Sequence, residues 1–146
     1  LPEIQLLPVS RDNLWEVISL DVGEKDRDFV LGNAESIAQS YVQKELIPLV
    51  IYDGKTPVGF LMYCIDADDG EYWLYRLMVD QKYQGRGYAR AAMTEILQTV
   101  QKDKKRRRMF LGVDTKSEAA VGLYRSLGFR FDGQVSGKES ITVLEW

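Results

Sequence analysis

The sequence predicts an α/β domain with a mixed sheet, and three observations support this fold class. Apolar runs of strand length alternate with segments of helical periodicity along most of the 146 residues. Two strand-like runs, at residues 49–52 and 57–65, flank the sequence Asp53-Gly54-Lys55-Thr56, which is typical of a hairpin turn. A second hairpin around Ser136-Gly137 closes the chain. We therefore expect residues 1–146 to form one α/β (α+β) domain in which helices flank the sheet.

The N-terminal segment is predicted to contain one strand and two helices. The strand covers residues 4–7 and ends at Pro8, and Ser10 or Asp12 can cap the first helix. The following residues are polar and irregular apart from the apolar segment Phe29-Val30-Leu31. A second helix covers about residues 34–45. The side chains that we expect these helices to bury are Leu14, Trp15, Val17, Ile18, Leu20, Ile37, Ala38, Tyr41 and Val42.

The C-terminal half continues the alternation. Residues 72–79 are aromatic and aliphatic, as in a mostly buried central strand. A helix at residues 87–102 carries its apolar side chains at helical spacing, which predicts one packed face. A strand at 109–113 precedes a helix at 117–127 that ends at a glycine. The closing hairpin pairs the strands at residues 129–135 and 140–145.

The composition excludes several classes of protein. A hydrophobic content of 45% with 28% charged residues is that of an ordinary globular domain. No apolar run approaches the length of a membrane span and the given residues include no basic-plus-apolar leader, so we expect a cytoplasmic protein without a membrane partner. The single cysteine, Cys64, excludes an internal disulfide and is interpreted as a packed strand residue. Because histidine is absent, we expect neither a metal site nor a histidine-dependent triad.

The net charge of −3 conceals a division along the chain. Residues 21–71 hold 11 acidic and 4 basic side chains, whereas the remaining residues hold 11 acidic and 15 basic ones. An acidic surface attracts a cationic substrate and a basic surface attracts an anionic cofactor, although an acidic face that only aids solubility would look the same. The basic run at residues 102–108 is interpreted as solvated charge near a helix C-terminus. Since the chain as a whole is acidic, we expect no nucleic-acid partner.

A glycine-rich turn follows the central strand and carries the most informative chemistry. It reads Gln84-Gly85-Arg86-Gly87-Tyr88-Ala89 and opens the predicted helix at residue 87. The two glycines allow consecutive N–H groups to converge, and the helix adds its unpaired N–H groups and the positive end of its dipole. This combination can bind a diphosphate, and a tight turn without a ligand remains the alternative. Neither a Walker loop nor a dinucleotide fingerprint is present.

Two motifs resemble those of the GCN5-related N-acetyltransferases. The first, Gln84-x-x-Gly87-x-Ala89, is similar to the signature with which that family holds the pyrophosphate of acetyl-coenzyme A. The second motif follows in the family's order and at its usual separation: Ser117-x-x-Ala120-x-x-Leu123-Tyr124-x-x-Leu127-Gly128-Phe129. The resemblance implies the acyl-CoA N-acyltransferase fold, a mixed, mostly antiparallel sheet whose central strands splay apart, and it implies acetyl-CoA as the cofactor.

The resemblance also implies which residues contact the cofactor. The backbone of Leu77, Met78 and Val79 would line the pantetheine arm. The pyrophosphate would be held by Gln84, Gly85, Arg86, Gly87, Tyr88, Ala89 and Arg90. Ser117, Ala120 and Tyr124 would complete the site from the second motif, although Ser117 stands where the family often has asparagine.

Short matches in the N-terminal half resemble the bacterial spermine/spermidine acetyltransferase subgroup. They are Leu20-x-Val22-x-Glu24, Phe29-Val30, Asn33 and Ser36-Ile37-Ala38-Gln39. This resemblance implies a small polycationic amine as substrate. Acetyltransferases for protein N-termini, lysines or aminoglycosides, and a catalytically silent sensor of coenzyme A or polyamine, are the alternatives. Exposed apolar groups near the C-terminal hairpin, such as Trp146, would be available to a homodimer partner.

Acetyl transfer to an amine requires a neutral amine, donors to the carbonyl oxygen and a partner for the leaving thiolate. The candidate bases are Glu71, just before the central strand, and then Glu24, with a solvated surface role as the alternative for each. The acidic residues expected to bind the substrate are Glu24, Asp26, Glu35 and Glu71. The resemblance places the hydroxyl of Tyr124 near the sulfur of the coenzyme, with a tyrosine that only packs its helix on the sheet as the alternative. We expect direct attack without an acetyl-enzyme.

Overall fold

The computed structural model describes residues 1–146, in which seven strands and four α-helices alternate. Two 3₁₀ turns, Arg27–Phe29 and Gln81–Tyr83, lie in the connections. The strands are β1 (Gln5–Pro8), β2 (Ile47–Asp53), β3 (Thr56–Ile65), β4 (Tyr72–Val79), β5 (Arg108–Asp114), β6 (Arg130–Ser136) and β7 (Glu139–Glu145). The helices are α1 (Leu14–Ser19), α2 (Asn33–Val42), α3 (Tyr88–Val100) and α4 (Glu118–Ser126).

All seven strands form one sheet in the order β1-β2-β3-β4-β5-β7-β6. Every neighbouring pair is antiparallel except β4 and β5, which are parallel. The predicted α/β fold with a mixed, mostly antiparallel sheet is therefore confirmed. The hairpin turn between β2 and β3 uses Gly54 at a φ of +59°, and the turn between β6 and β7 uses Gly137 at the same angle. Positive φ values of this kind are accessible mainly to glycine.

The two central strands separate along their length. Strand β4 pairs with β5 only from Tyr72 to Leu74, against Met109 to Leu111. The residues from 75 to 79 therefore have a partner on the β3 side alone. The register between β3 and β4 shifts by one residue beside Tyr75, which is the extra residue of a bulge in β4. Because a bulge bends and twists its strand, it turns β4 away from β5 where the pairing ends.

The helices bury the two faces of the sheet in separate clusters. On one face, α3 and α4 pack on the larger core, which includes Met93, Ile96 and Phe129. On the other face, Val17 of α1 packs with Phe60 and other residues of β2, β3 and β4, and Ile37 of α2 borders this cluster. The predicted apolar face of α3 is confirmed, since Met93, Ile96, Leu97 and Val100 are all buried, with Ala89 packed beside them.

The predicted apolar faces of α1 and α2 are confirmed only in part, since Val17 is buried and Leu20 and Ile37 pack beside its cluster but other predicted side chains do not. The side chains of Trp15, Tyr41 and Val42 are about three-quarters exposed. Only Val17 is buried in α1, and the buried residues of α2 are Asn33 and Ser36. Asn33 is accommodated because its side-chain amide donates to the carbonyl of Val17 at 2.8 Å. Trp146, expected to be exposed, is instead partly buried against the larger core.

Candidate active site

The separation of β4 from β5 opens a cavity of about 450 Å³. Strand β4 forms one wall, and the last residues of β5 with α4 form the other. Residues 21–31, between α1 and α2, form the covering segment, of which residues 27–31 line the cavity, and the beginning of β7 contributes one residue. The lining residues are Arg27, Asp28, Phe29, Val30, Leu31, Leu74, Tyr75, Arg76, Leu77, Gly112, Val113, Asp114, Ser117, Ala120, Tyr124 and Glu139.

The glycine-rich turn lies directly beyond the end of β4 and presents a series of unpaired backbone donors. Gly85 and Gly87 adopt φ values of +78° and +88°, and α3 begins immediately after them. The first backbone hydrogen bond of the helix runs from the N–H of Ala91 to the carbonyl of Gly87 at 3.0 Å. The N–H groups of residues 85–90 donate to no acceptor within the protein. Such a row of donors at a helix N-terminus fits a diphosphate.

The side chains of the turn are engaged elsewhere, so the turn offers its backbone. The hydroxyl of Tyr88 donates to the carboxylate of Asp53. The guanidinium of Arg90 donates to the hydroxyl of Ser126 at 2.6 Å, which ties α3 to α4. The guanidinium of Arg86 lies 5.7 Å from the centre of the Tyr83 ring.

Gln84 fastens the turn to the loop that follows α1. Its side-chain amide donates to the carbonyls of Val22 and Val79, each at 2.9 Å. A second link runs in parallel, because the buried carboxylate of Asp80 accepts from the N–H of Asp21 at 3.0 Å. The segment that covers the cavity is therefore attached at two points to the region of the glycine-rich turn.

Some of the residues predicted to contact the pantetheine arm line the cavity, and others lie outside it. Leu77, Ser117 and Ala120 line the cavity. Met78 lines an adjoining cavity of about 470 Å³ on the other side of β4, and its sulfur accepts from Asn33. Val79 is buried and holds the side chain of Gln84 through its carbonyl. Since β4 lacks a partner on its β5 side here, alternate backbone groups of this strand face the cavity unpaired.

Tyr124 projects from α4 into the same cavity. Its side chain is 9% exposed, and its ring meets the ring of Phe129 edge to face at 5.9 Å. No group of the protein forms a hydrogen bond with its hydroxyl. Burial raises the pKa of Tyr124 above its usual range, and the negative charge of Glu139 raises it further. The phenol therefore stays protonated and can donate a hydrogen bond to a ligand in the cavity.

The structure does not bring the predicted bases into the cavity. Glu71 forms an ion pair with Arg108 where β4 and β5 are still paired, at the closed end of the separation. Glu24 is exposed and Asp26 is partly buried, and neither lines the cavity, although both belong to the segment that covers it. Glu35 lines the adjoining cavity, which shares Arg27, Val30 and Leu31 with the main one.

Five charged residues of the cavity were missed by sequence reasoning: Arg27 and Asp28 in the segment before α2, and Arg76, Asp114 and Glu139 on the sheet. The acidic balance of residues 21–71 pointed to the segment that contains Asp28, but not to this residue. The other three come from β4, β5 and β7, and only the folded sheet brings them together. Burial lowers the pKa of Arg76, whose guanidinium donates to Gln39 at 2.9 Å and to the carbonyl of Tyr75 at 2.8 Å.

Cys64 is fully buried on β3, away from the cavity. Burial raises the pKa of its thiol to about 12, with a further increase from nearby carboxylates. The thiol is therefore protonated and inaccessible, as predicted for a packed strand residue. No helix is long and apolar enough to span a membrane.

Comparisons with known proteins agree with this geometry. The model of the acetyltransferase (GNAT) family matches residues 14–129. A spermine/spermidine N(1)-acetyltransferase of Bacillus subtilis is 25% identical over 138 residues, which cover 90% of this chain and 91% of the relative. The N-alpha-acetyltransferase RimI of Mycobacterium tuberculosis is 35% identical over 79 residues, which cover 50% of this chain and 48% of the relative.

A solved structure shows the same architecture with ligands bound. The spermidine N-acetyltransferase of Vibrio cholerae, in complex with CoA and spermine, matches with a TM-score of 0.74 at 16% identity, over 97% of this chain and 95% of that one. The family model covers most of the chain, including both motifs and all four helices. The chain belongs to the acetyltransferase (GNAT) family and is an acetyl-CoA-dependent N-acetyltransferase.

Proposed function

We propose that this enzyme acetylates a primary amine of a small polycation, spermine or spermidine, by direct attack in a ternary complex. The observation that carries the proposal is that β4, which forms one wall of the cavity, leads directly into the turn whose N–H groups at residues 85–90 are unpaired. Acetyl-CoA supplies the activated acetyl thioester, and the chain supplies the surfaces that hold it and the amine.

The unpaired donors support a specific placement of the cofactor. The N–H groups from Gly85 to Arg90 would hold the pyrophosphate, and the open edge of β4 at residues 77–79 would hydrogen-bond the pantetheine arm. Ser117 and Ala120 would pack on the arm from the opposite wall. The phenol of Tyr124 would then face the sulfur, as the family resemblance implies.

The amine must lose a proton before it attacks. A reference pKa of about 10.4 for an alkyl ammonium leaves only about one molecule in a thousand neutral near pH 7. Tyr124 would hydrogen-bond the departing thiolate. Full transfer of its proton is uphill by about 2 kcal/mol with the reference pKa values of a phenol and a thiol, and burial increases this difference.

The burial of Cys64, the only cysteine in the sequence, supports direct attack of the amine on the thioester. Formation of an acetyl-enzyme would need an accessible nucleophile beside the thioester. Cys64 is buried in the opposite core cluster with a pKa raised to about 12, and it does not line the cavity. This placement of Cys64 supports the amine as the nucleophile that meets the thioester.

The preference for a polycation is supported by the relatives and by the charge of the covering segment. Two Bacillus relatives of this size are a spermine/spermidine N(1)-acetyltransferase and a probable spermine N(1)-acetyltransferase. Asp28 places one carboxylate of the covering segment in the cavity, and Glu24, Asp26 and Glu35 lie in or beside that segment. Several carboxylates attract a multiply charged cation more strongly than a single ammonium group.

The test is release of free thiol from acetyl-CoA with a panel of amines. The panel contains spermine, spermidine, putrescine, an aminoglycoside, a lysine peptide and a peptide with a free N-terminus. We expect turnover with spermine and spermidine to exceed turnover with the other amines by at least about tenfold, as their several charges meet the acidic segment. Turnover restricted to a peptide or an aminoglycoside would overturn the polyamine assignment and leave acetyl transfer intact. CoA binding without turnover of any amine would favour the sensor.

A further inference from the structure

Glu139 is a carboxylate of the cavity without an assigned role. It begins β7 and pairs in register with Asp114 at the end of β5. Its side chain lines the cavity together with Tyr124. Its placement depends on Gly112, because a Cβ atom at that position would lie 2.6 Å from the Oε1 atom of Glu139 and 3.1 Å from Cδ. The absence of a side chain on Gly112 therefore creates the space that this carboxylate occupies.

The groups around Glu139 leave its carboxylate available. Arg76 faces it from β4, Asp114 from β5 and Tyr124 from α4. No ion pair joins Glu139 to Arg76, whose guanidinium is held by Gln39 and by the carbonyl of Tyr75. No protein donor forms a hydrogen bond with the carboxylate. Glu139 is exposed as a residue, but partial burial of its carboxylate raises its pKa; the charge of Arg76 lowers the pKa, and that of Asp114 raises it.

We propose that Glu139 is the base of the reaction, which accepts a proton from the ammonium group of the substrate in the cavity. The inference rests on the proposed function, since it requires an amine acceptor. Glu139 takes one proton of the ammonium group, directly or through one water, and later releases it to solvent. The neutral amine then forms the C–N bond as the C–S bond breaks. The nitrogen loses its second proton to solvent, and the departing thiolate, stabilised by a hydrogen bond from Tyr124, takes a proton from solvent to become the thiol of CoA.

The other carboxylates of the site fit this role less well. Glu71 is paired with Arg108 outside the cavity. The carboxylate of Asp114 accepts the N–H of Lys116 at 3.0 Å, which fixes it in the turn before α4. Asp28 lies on the covering segment and neighbours Arg27 in the cavity wall. Glu139 alone combines a free carboxylate, a raised pKa and a shared wall with Tyr124.

The test is the pH profile of kcat/KM for the best amine of the panel, measured on wild type and Glu139→Gln. In wild type, we expect a plateau between the pKa of Glu139 and that of the amine. In Glu139→Gln, we expect a loss of about 100-fold near pH 7. The variant should then gain about tenfold for each pH unit up to about pH 9, because only amine already neutral in solution reacts. The KM for acetyl-CoA should change by less than about twofold.

Further variants separate this proposal from a structural effect. Glu118→Gln removes an exposed carboxylate of α4 outside the cavity and should keep the wild-type profile. Gly112→Ala should reproduce the tenfold rise per pH unit, since its Cβ displaces Glu139. A wild-type pH profile in Glu139→Gln, or the tenfold slope in Asp114→Asn instead, would overturn the assignment. The wild-type enzyme is first assayed on the amine panel. If it turns over no amine there, the proposed function fails, and this result is distinct from a failure of the assignment of Glu139.

Discussion

Tyr124 shows how one residue acquires a function from its surroundings. Its ring is fixed by contact with Phe129, while its hydroxyl meets no protein group and faces the cavity. Burial and the charge of Glu139 both favour the protonated phenol. The hydroxyl is therefore a hydrogen-bond donor over the whole pH range in which the enzyme would operate.

We predict that Tyr124→Phe lowers kcat about 100-fold and leaves the dissociation constant of CoA within about twofold of wild type. The reason is that the hydroxyl is needed when negative charge develops on the sulfur, whereas the ring alone fills the wall. Steady-state kinetics with direct binding of CoA measure the two effects separately. Tyr63→Phe is the matched control, because Tyr63 on β3 is also partly buried, with a pKa raised by burial alone, and lies outside the cavity. Wild-type kcat in Tyr124→Phe would remove the hydroxyl from the mechanism.

Gly59 and Gly122 differ in the space that surrounds them, so substitutions there show where close packing between elements matters. Gly59 lies on β3 opposite Val79, and a Cβ atom there would be 2.4 Å from the carbonyl oxygen of Met78. Since this neighbour is backbone, it cannot rotate away, and the two strands would have to separate. Gly122 lies within α4, and a Cβ atom there would meet nothing within 4 Å.

We predict that Gly59→Ala lowers the free energy of unfolding by about 2 kcal/mol, as overpacking a strand pair does. It should also weaken CoA binding, because β4 carries both the open edge and the link to Gln84. Gly122→Ala is the control and should raise the free energy of unfolding by about 1 kcal/mol through helix propensity. Urea denaturation measures both changes. If Gly59→Ala has the stability of wild type, β3 and β4 can move apart at this position without loss of free energy, which would contradict the prediction.

The elements with strong local signals were predictable, and those fixed by tertiary contacts were not. The bounds of β4 and the apolar spacing of α3 follow from local sequence, and the structure confirms both. The face of α2 was predicted correctly at Ile37 but not at Tyr41 and Val42, because its buried side includes Asn33, whose side chain donates to the carbonyl of Val17 on α1. A hydrophobicity pattern cannot register a polar residue whose partners lie on another element.

At the scale of the whole molecule, local sequence likewise predicts only those parts of the active site that are contiguous in the chain. The glycine-rich turn is contiguous in sequence, so its unpaired donors could be predicted from its motif and from the start of α3. Glu139 lies 63 residues from Arg76 and 15 from Tyr124, and only the insertion of β7 between β5 and β6 brings it to the cavity. Glu71 was chosen from its position beside β4, but the parallel pairing places Arg108 next to it.

The excess of acidic side chains within residues 21–71 predicts that carboxylates near the cavity strengthen the binding of a cationic substrate. Glu24 and Asp26 lie on the segment that covers the cavity, and Glu35 lines the adjoining cavity; none of the three forms an ion pair. The triple variant Glu24→Gln, Asp26→Asn, Glu35→Gln should raise the KM for spermine about 5- to 10-fold, because it removes three negative charges near the bound polycation. The kcat should change little, since none of these side chains lines the reaction cavity.

The matched control neutralises Glu3, Asp68 and Glu95, which are exposed and likewise free of ion pairs but lie away from the main cavity. Both variants change the net charge equally, so a rise in KM confined to the first one would locate the attraction at the covering segment. That rise should disappear at an ionic strength of about 1 M, where the Debye length is about 3 Å. An equal KM in the two variants at low salt would mean that the acidic segment only keeps the protein in solution.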